Sequence, residues 1–408
     1  MDLKKTAEEY LIKYAKIKSM SDPESKTQPS TTAQIDFQKV LLADLKEIGV
    51  TNAQLDQYGF LMAEIPANNG KDKPAIGFIA HVDTVIDFTK EEIKPVIHRN
   101  YQGNKVAINE AKGLYLDPQL TPELKQCVGH DIVTSDGNTI LGADDKSGVA
   151  VIFTMAKYLK EHPEIKHGPI KLAFTPDEEI GRGTVNFDIQ KFGADFAYTI
   201  DGEGLDTLNN GNFNGDSFTI NITGVYTHTG SAKDILVNPA IVAADIINSW
   251  DSKKLPETTE KEEGFIYFSD VTANSEGAVI KGILREHDLN KLYKMEDELK
   301  KLTEKIQAKH KGAVIKLEIK ESYRNAKKVL AEHPAAMERI EKTLKRIKFD
   351  YKIEQIRGGS DGMILTLKGL PTPNIFAGYR NEHGPAEWVS LNAMENIVNI
   401  ITELVKED

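Results

Sequence analysis

Ile76-Gly77-Phe78-Ile79-Ala80-His81-Val82-Asp83 is a short apolar run that leads directly into residues able to bind a metal ion. Ile170-Lys171-Leu172-Ala173-Phe174 has the same form and precedes the acidic triplet Asp177-Glu178-Glu179. A third run, Phe196-Ala197-Tyr198-Thr199-Ile200, ends at Asp201. Runs of this length are typical of buried parallel strands, whose carboxyl ends meet at one edge of an open α/β sheet, where ligands bind. The three runs therefore predict a functional site at that edge.

The length and the order of the predicted elements indicate two domains. A chain of 408 residues is longer than one hydrophobic core normally organises. Strand, loop and helix alternate up to Asp201, which predicts an α/β fold: a mostly parallel mixed sheet with helices on both faces. Beyond Gly211, several strands and the two predicted helices 238–250 and 288–310 favour an inserted α+β domain at 213–324. The remaining residues, 1–212 and 325–408, then form one discontinuous domain.

A local turn signal also predicts a hairpin. Ser135-Asp136-Gly137-Asn138 is rich in turn-forming residues and is flanked by the short apolar stretches 131–133 and 139–141. A good helix is predicted directly after it, over 147–159, and a later one over 335–347.

Composition excludes several classes of function. The formal net charge of −11 argues against a nucleic-acid partner, which requires a basic surface. No apolar run approaches the roughly 20 residues of a membrane-spanning helix, so no membrane partner is expected. The N-terminus carries no apolar export segment, and the single cysteine, Cys127, cannot form an internal disulfide. These observations favour a cytoplasmic protein.

Five residues at or near the predicted strand ends suit a site for two metal ions. His81 and His383 would each supply a neutral imidazole to one ion. Two cations roughly 3.5–4 Å apart repel each other, so a carboxylate must bridge them, and Asp144 is the candidate. Asp201 would complete the side of His81, and Glu179 the side of His383.

Two further acids suit supporting roles. Glu178 neighbours a predicted ligand and is the candidate general base, which would take a proton from a water molecule whose pKa the metals have lowered. Asp83, two residues after His81, suits a carboxylate that accepts the second imidazole N–H and fixes the tautomer.

Each acidic cluster also has an ordinary structural interpretation. Asp177-Glu178-Glu179 alone is typical of a charged helix start, where the helix dipole favours acids. Asp144-Asp145-Lys146 alone could be a turn and helix cap before Ser147. Their joint occurrence at predicted strand ends is what favours the metal site.

The dispersed motifs resemble the peptidase T family of co-catalytic zinc exopeptidases, and they follow the family order. The segments that carry the resemblance are His81-Val82-Asp83-Thr84, Gly142-Ala143-Asp144-Asp145-Lys146-Ser147-Gly148, Thr175-Pro176-Asp177-Glu178-Glu179-Ile180-Gly181-Arg182-Gly183, Thr199-Ile200-Asp201-Gly202-Glu203 and Arg357-Gly358-Gly359-Ser360-Asp361-Gly362. The resemblance implies the same residue roles, two Zn²⁺ ions, for which Co²⁺ or Mn²⁺ could substitute, and a cis peptide bond between Asp144 and Asp145. Ala386 departs from the family, which tends to carry a second histidine there.

The resemblance also implies a purpose for the inserted domain, as a lid and dimerisation domain in a homodimer. His228 resembles the lid histidine that reaches a neighbouring subunit's site and stabilises the oxyanion. Arg285 resembles the lid arginine that binds the substrate's terminal carboxylate, for which a planar guanidinium is well suited. Gly359 and Ser360 would offer main-chain amides to the same substrate.

We therefore predict a dinuclear zinc aminopeptidase that releases the N-terminal residue from short peptides, with tripeptides as the expected substrates. The alternatives within the family are a dipeptidase, a carboxypeptidase or an N-acyl amino acid deacylase. Outside it, the alternative is a non-catalytic metal- or peptide-binding protein. The presence of both Glu178 and Glu179 argues against that last alternative, because an inactive relative would be free to lose the base.

Overall fold

The computed structural model describes residues 1–69, 73–88 and 90–406. The chain divides into two compact units. The first comprises Met1–Asn210, Ala326–Glu354 and Ser360–Asp408, and the second comprises Gly211–Asn325 and Gln355–Gly359. The second unit thus interrupts the first in sequence.

The elements are numbered in chain order over the described residues. Strands β1 to β18 are Gln54–Leu55, Leu61–Ile65, Ile76–His81, Val96–His98, Val106–Asn109, Leu114–Leu116, Ile132–Thr134, Ile170–Thr175, Phe196–Gly202, Thr207–Asn212, Asn214–Thr223, Phe265–Ala273, Ala278–Glu286, Val314–Tyr323, Lys352–Ile356, Asn374–Phe376, Tyr379–Arg380 and Trp388–Ser390. Helices α1 to α10 are Leu3–Ala15, Thr32–Glu47, Ala143–Glu161, Ile189–Phe192, Pro239–Asn248, Leu289–Lys309, Lys327–Glu332, Ala335–Ile347, Asp361–Leu367 and Leu391–Val405. Within the described ranges, none of the helices combines the length and apolar character that crossing a membrane requires.

The first unit is built around a large mixed sheet. Its described strands follow the order β1-β2-β8-β3-β9-β16-β10-β15. β3 lies between β8 and β9 and is parallel to both, and β9 is also parallel to β16. β2 and β10 run antiparallel to β8 and β16, so the parallel pairs form the centre of the sheet. The three apolar runs are therefore adjacent parallel strands, as predicted, and their carboxyl ends lie at one edge.

Helices cover both faces of this sheet. Successive side chains of a strand point to opposite faces, so each strand contributes to the hydrophobic cores on both sides. Phe78 and Leu172 belong to the larger hydrophobic core, to which α1, α2, α3 and α10 also contribute. Their neighbours Ile79 and Ala173 belong to a separate core that includes Phe192 of α4 and Leu365 of α9. The predicted α/β class is confirmed.

The second unit is an α+β module. Its described strands form an antiparallel sheet in the order β12-β13-β11-β14. Helices α5 and α6 share one buried core with this sheet, in which Val242 and Leu292 of the helices join Ile220 and Ile280 of the strands. The prediction of two helices packed against an antiparallel sheet is confirmed.

The predicted hairpin around Ser135-Asp136-Gly137-Asn138 is wrong. Ile132–Thr134 forms β7, but it pairs with β4 and β18, and residues 139–141 are not in a strand. The Ser135 hydroxyl donates to the Thr139 carbonyl and accepts the Gly137 N–H, so local side chains satisfy this segment instead of a strand ladder. The segment is a loop that leads into α3.

Candidate metal centre

The first unit gathers all five predicted metal ligands. His81 ends β3, and Asp201 lies in β9 beside it. Glu179 lies in the turn that follows β8, and Asp144 lies at the start of α3. His383 comes from the loop between β17 and β18. Three of the five are therefore placed by the central parallel strands, and the other two by segments far away in sequence.

Asp144 lies between the two histidines. His81 Nε2 is 2.9 Å from Asp144 Oδ1 and 3.5 Å from Asp201 Oδ1. His383 Nε2 is 3.1 Å from Asp144 Oδ2 and 2.9 Å from Glu179 Oε2. Each carboxylate oxygen of Asp144 thus faces a different imidazole, and each imidazole faces a different second carboxylate.

This donor set fits metal ions. Two groups of side chains have potential ligand atoms that all lie within 4.8 Å of one another: His81 with Asp144 and Glu179, and His81 with Asp145 and Asp201. Glu179 Oε1 is buried and has no hydrogen-bond partner among the described residues, so its lone pairs are free to coordinate. A mixture of imidazole nitrogen and carboxylate oxygen suits zinc and similar divalent ions.

The charges of the protein alone leave these carboxylates poorly compensated. Burial raises the pKa of Glu178 well above its usual range, and burial together with the charge of Asp144 raises the pKa of Glu179 to about 7. Burial also acts to raise the pKa of Asp144, but hydrogen bonds from His383 and His81 outweigh it and lower that pKa. Two imidazoles therefore balance only part of the negative charge, which a bound cation would balance further.

Asp83 holds the acidic turn in place. Its Oδ1 and Oδ2 atoms accept the main-chain N–H groups of Glu178, at 3.0 Å, and Glu179, at 3.1 Å. His81 Nδ1 lies 3.0 Å from the Asp83 carbonyl oxygen and 3.5 Å from its carboxylate. The nearer acceptor for the imidazole is therefore the main chain of Asp83, where we predicted its carboxylate.

Glu387 anchors the start of α3 and was missed by the sequence analysis. Its Oε2 atom accepts the N–H groups of Leu141, at 2.8 Å, and Gly142, at 2.7 Å, and its Oε1 atom accepts the Asp144 N–H at 3.0 Å. Burial raises the pKa of Glu387 to about 7. The implied cis peptide bond between Asp144 and Asp145 is present in this turn. The only indication in the sequence was that Glu387 lies shortly after His383, the last predicted ligand.

Two more side chains reach the predicted ligands without having been predicted. The Tyr379 hydroxyl donates to Asp201 Oδ1 at 3.1 Å. Asp145 Oδ2 accepts the main-chain N–H of His81 at 3.2 Å, and Asp145 Oδ1 accepts that of Gly148 at 3.1 Å. Tyr379 thus contacts one candidate ligand directly, and Asp145 holds the main chain of another.

The predicted lid residues lie in the second unit. His228 is exposed, and its Nδ1 atom accepts the Gly230 N–H at 3.1 Å. The Arg285 guanidinium donates to the Leu284 carbonyl at 2.9 Å and lies 4.9 Å from the centre of the Tyr323 ring. Burial lowers the pKa of Arg285. The second unit thus contains both predicted lid residues. The imidazole of His228 is exposed, and the contacts of the Arg285 guanidinium are to residues of the same unit.

The predicted glycine-serine pair is divided between the two units. Gly359 belongs to the second unit, where a Cβ atom added to it would lie 3.0 Å from the Tyr323 ring. Ser360 belongs to the first unit and caps α9, because its hydroxyl accepts the Met363 N–H at 3.4 Å and donates to Asn374 Oδ1 at 3.3 Å. The side chain of Ser360 is therefore already engaged within the first unit.

A mixed sheet covered by helices, with imidazoles and carboxylates gathered at one edge, is typical of metallohydrolases. Residues 134–407 match the sequence profile of the Peptidase family M20/M25/M40, and the chain belongs to this family. It is 41% identical to peptidase T of Fusobacterium nucleatum over 408 residues, which covers 100% of this chain and 99% of the relative. It is also 41% identical to peptidase T of Brevibacillus brevis over 395 residues, which covers 97% of this chain and 96% of the relative. The predicted family resemblance is confirmed.

Solved structures share the fold. A tripeptidase of Staphylococcus aureus matches with a TM-score of 0.77 and 20% identity, covering 99% of this chain and 98% of that one. The aminopeptidase PepT of Bacillus cereus matches with a TM-score of 0.73 and 21% identity, covering 98% of both chains. Both likenesses extend over nearly the whole chain, so they include the second unit as well as the first.

Proposed function

We propose that this chain is a dinuclear metal-dependent aminopeptidase that releases the N-terminal residue from short peptides, with tripeptides as its substrates. The observation that carries the proposal is the position of Asp144, whose two carboxylate oxygens lie 2.9 Å and 3.1 Å from two different histidines. Relatives named peptidase T that match over nearly the full length of the chain support a peptidase activity. The similar structures of a tripeptidase and of an aminopeptidase support the proposed substrate length and the cleavage at the N-terminus.

Two sets of residues would hold the metal ions. His81 and Asp201 would bind one ion, His383 and Glu179 the other, and Asp144 would bridge the pair. Zinc suits these ligands, and cobalt or manganese could take its place according to availability. When bound, such ions lower the pKa of a water molecule and polarise the scissile carbonyl group.

Glu178 is the proposed general base. Asp83 fixes its main chain immediately before the proposed ligand Glu179, and the charges of His81 and Asp201 act on its carboxyl group. Glu178 takes the proton of the attacking water and delivers it to the leaving amine, which is the role that a positioned carboxylate plays in general acid–base catalysis.

The second unit is proposed to act as a lid and as the dimerisation domain of a homodimer. In that arrangement His228 of one subunit stabilises the oxyanion formed in the other, and its exposed side chain supports such a role. Arg285 binds the terminal carboxylate of the peptide, because a guanidinium can donate two parallel hydrogen bonds to a carboxylate. Gly359 and Ser360 contribute main-chain N–H groups to the same end of the substrate.

We also propose that the enzyme works in the cytoplasm. Cys127, the single cysteine of the sequence, is free and buried, and burial raises the pKa of its thiol to about 12. A fold without a disulfide is compatible with a reducing compartment.

A peptide panel combined with metal analysis tests the proposal. The purified protein should contain close to two metal ions per chain and should hydrolyse tripeptides with a free N-terminus faster than dipeptides, tetrapeptides or N-acetylated tripeptides. The first product released should be the N-terminal amino acid, as identified by mass spectrometry. Hydrolysis of N-acetylated substrates alone would contradict the aminopeptidase activity.

Two histidine variants test the proposed ligands by their metal stoichiometry, one as the test and the other as its matched control. His81→Ala should reduce the bound metal, because it removes a proposed ligand. His162→Ala removes an imidazole that lies 2.8 Å from Glu164 Oε1 and packs against the Tyr158 ring, neither of which is a proposed ligand, and it should leave the stoichiometry unchanged. Equal metal content in the two variants would count against the proposed ligand set.

A further inference from the structure

Asp177 is a fully buried acid at the candidate centre that the proposed mechanism does not use. It is the first residue of the acidic turn, and its side chain and main chain are entirely shielded from solvent. Its φ angle of 61° lies in the left-handed region, which non-glycine residues occupy only rarely. A conformation of this kind persists only where the surroundings hold it in place.

Ser30 and Gln34 supply those surroundings. The Asp177 carboxylate accepts the Ser30 N–H, at 2.9 Å to Oδ2, and also the Ser30 hydroxyl. Gln34 Nε2 donates to Asp177 Oδ1 at 2.7 Å, and Gln34 Oε1 accepts the Asp177 main-chain N–H at 3.0 Å. The side-chain amide of Gln34 thus binds both the side chain and the main chain of Asp177. These two hydrogen bonds fix the main-chain direction of the residues that follow.

The residues that follow are the proposed base and a proposed metal ligand. Glu178 and Glu179 come directly after Asp177, and Asp83 accepts the main-chain N–H of each. The acidic turn is thus held at two places: Gln34 and Ser30 act at Asp177, and Asp83 acts at the next two residues.

The N-terminal segment that carries Ser30 is bonded to the loops after both β3 and β8. Ser21 N–H donates to the Thr84 carbonyl at 3.0 Å, in the loop after β3. Gln28 Nε2 donates to the Arg182 carbonyl at 2.9 Å, and Arg182 donates to the Ser25 carbonyl at 2.8 Å, in the loop after β8. The contacts to Asp177 are therefore part of an ordered connection between the two loops.

We propose that Gln34 and Ser30 are positioning residues, which act through Asp177 to orient Glu178 and Glu179 for catalysis and metal binding. Both lie outside residues 134–407, the part that matches the family profile. The inference rests on the proposed function for the role of Glu178, but the contacts also concern Glu179 and so affect metal affinity.

Gln34→Met tests the proposal, with Gln38→Met as the matched control. Both glutamines are fully buried on α2, one helical turn apart. Gln38 Nε2 donates to the carbonyls of Gly59 and Phe174, at 2.9 Å each, and does not contact the acidic turn. Both variants should lower the melting temperature, because each removes buried hydrogen bonds.

The two variants should differ in catalysis and in metal affinity. Gln34→Met should lower kcat on a tripeptide by between about 10-fold and about 100-fold with little change in KM, because a displacement of roughly 1 Å can cost about 100-fold in rate. Its metal affinity, measured by competition with a chelator, should fall by at least about 10-fold, as for other residues that orient metal ligands. Gln38→Met should retain both values within about twofold. Equal kcat and equal metal affinity in the two variants would overturn the proposal.

A second pair of variants decides the question if Gln34→Met does not fold. Asp177→Asn should lose kcat, because an amide has a single acceptor oxygen and its NH2 group would face either Gln34 Nε2 or the Ser30 N–H, both of which are donors. The double variant Asp177→Asn with Gln34→Glu exchanges donor and acceptor and should recover part of that loss, and a double variant no more active than Asp177→Asn would overturn the proposal. If the wild-type protein cleaves no tripeptide, the proposed function has failed, and the chelator competition still measures whether Gln34 positions Glu179.

Discussion

Glu178 and Glu179 are neighbours in sequence, yet the folded chain gives their carboxyl groups different surroundings. Glu179 Oε2 lies 2.9 Å from His383 Nε2, within the cluster around Asp144. The charges that act most strongly on the Glu178 carboxyl are instead those of His81 and Asp201. Of these two adjacent residues, Glu179 is therefore placed for the proposed metal binding and Glu178 for the proposed proton transfer.

At the residue scale, Glu178→Gln should separate these two roles. The substitution keeps the size of the side chain and removes its ability to take a proton, so kcat should fall by at least about 100-fold, the low end of a general base's contribution. Bound metal should stay at the wild-type level. Tripeptide turnover and elemental analysis of the same preparation measure both quantities.

Glu179→Gln is the companion variant. It should lose bound metal, because it weakens a proposed ligand, and its remaining activity should rise when metal is added in excess. A Glu178→Gln enzyme with near-wild-type kcat would show that the base has been assigned to the wrong residue.

At the element scale, the start of α3 is placed by contacts on two sides. On one side, a Cβ atom at Gly148 would overlap the Ile200 carbonyl of β9, so only glycine lets the helix approach this strand so closely. On the other side, Glu387 accepts two main-chain N–H groups of the turn that precedes the helix and a third, that of Asp144, at the start of the helix. Helix, strand and C-terminal loop together determine where Asp144 lies.

Glu387→Gln should weaken this arrangement. An amide has one acceptor oxygen where the carboxylate has two, so at least one buried N–H group loses its partner, which costs about 1–3 kcal/mol in the free energy of unfolding. Metal affinity should fall by about 10-fold to 100-fold, as it does when residues that orient ligands are changed. Thermal unfolding and chelator competition measure the two effects.

Glu341→Gln provides the comparison for that experiment. Glu341 is partly buried in the first unit, where it accepts the Tyr351 hydroxyl at 3.0 Å and pairs with Lys345 at 3.4 Å. Because glutamine can still accept the Tyr351 hydroxyl and the ion pair is partly exposed, the substitution should change the free energy of unfolding by no more than about 0.5 kcal/mol. If Glu387→Gln behaved like Glu341→Gln in both measurements, Glu387 would have no part in holding the metal ligands.

Elements and strand-end residues could be predicted because their signals are local. The run that ends at His81 has the length and composition of a buried strand, and the amphipathic spacing over Ala335–Ile347 predicts the observed helix α8 without error. Contacts such as that between Gln34 and Asp177 join residues 143 positions apart and leave no pattern in either segment. The roles assigned to the predicted site residues stay predictions, including those of His228 and Arg285.

At the scale of the whole molecule, the two units have separate cores and separate spectroscopic reporters. The sequence contains two tryptophans. Trp388 is buried in the first unit, next to the loop that carries His383, and Trp250 packs in the core of the second unit. Each single-tryptophan variant, Trp250→Phe or Trp388→Phe, therefore reports the unfolding of one unit.

Removal of metal should destabilise the first unit selectively. A ligand present at about 1,000 times its Kd stabilises the folded state by about 4 kcal/mol, so EDTA should lower the melting temperature reported by Trp388 by about 5–15 °C. The transition reported by Trp250 should change by no more than about 2 °C, because the proposed ligands all lie in the first unit. Equal shifts at both tryptophans would contradict a metal site confined to that unit, and His81→Ala, which removes a ligand of one of the two proposed ions, should reduce the EDTA effect.

The position of β16 has a consequence for the growing polypeptide on the ribosome. This strand, Asn374–Phe376, inserts between β9 and β10, so the sheet lacks one of its inner strands until residue 376 has been translated. His383 is synthesised later still. A nascent chain that has not reached residue 383 therefore lacks one of the proposed ligands, and the complete set cannot assemble before that point.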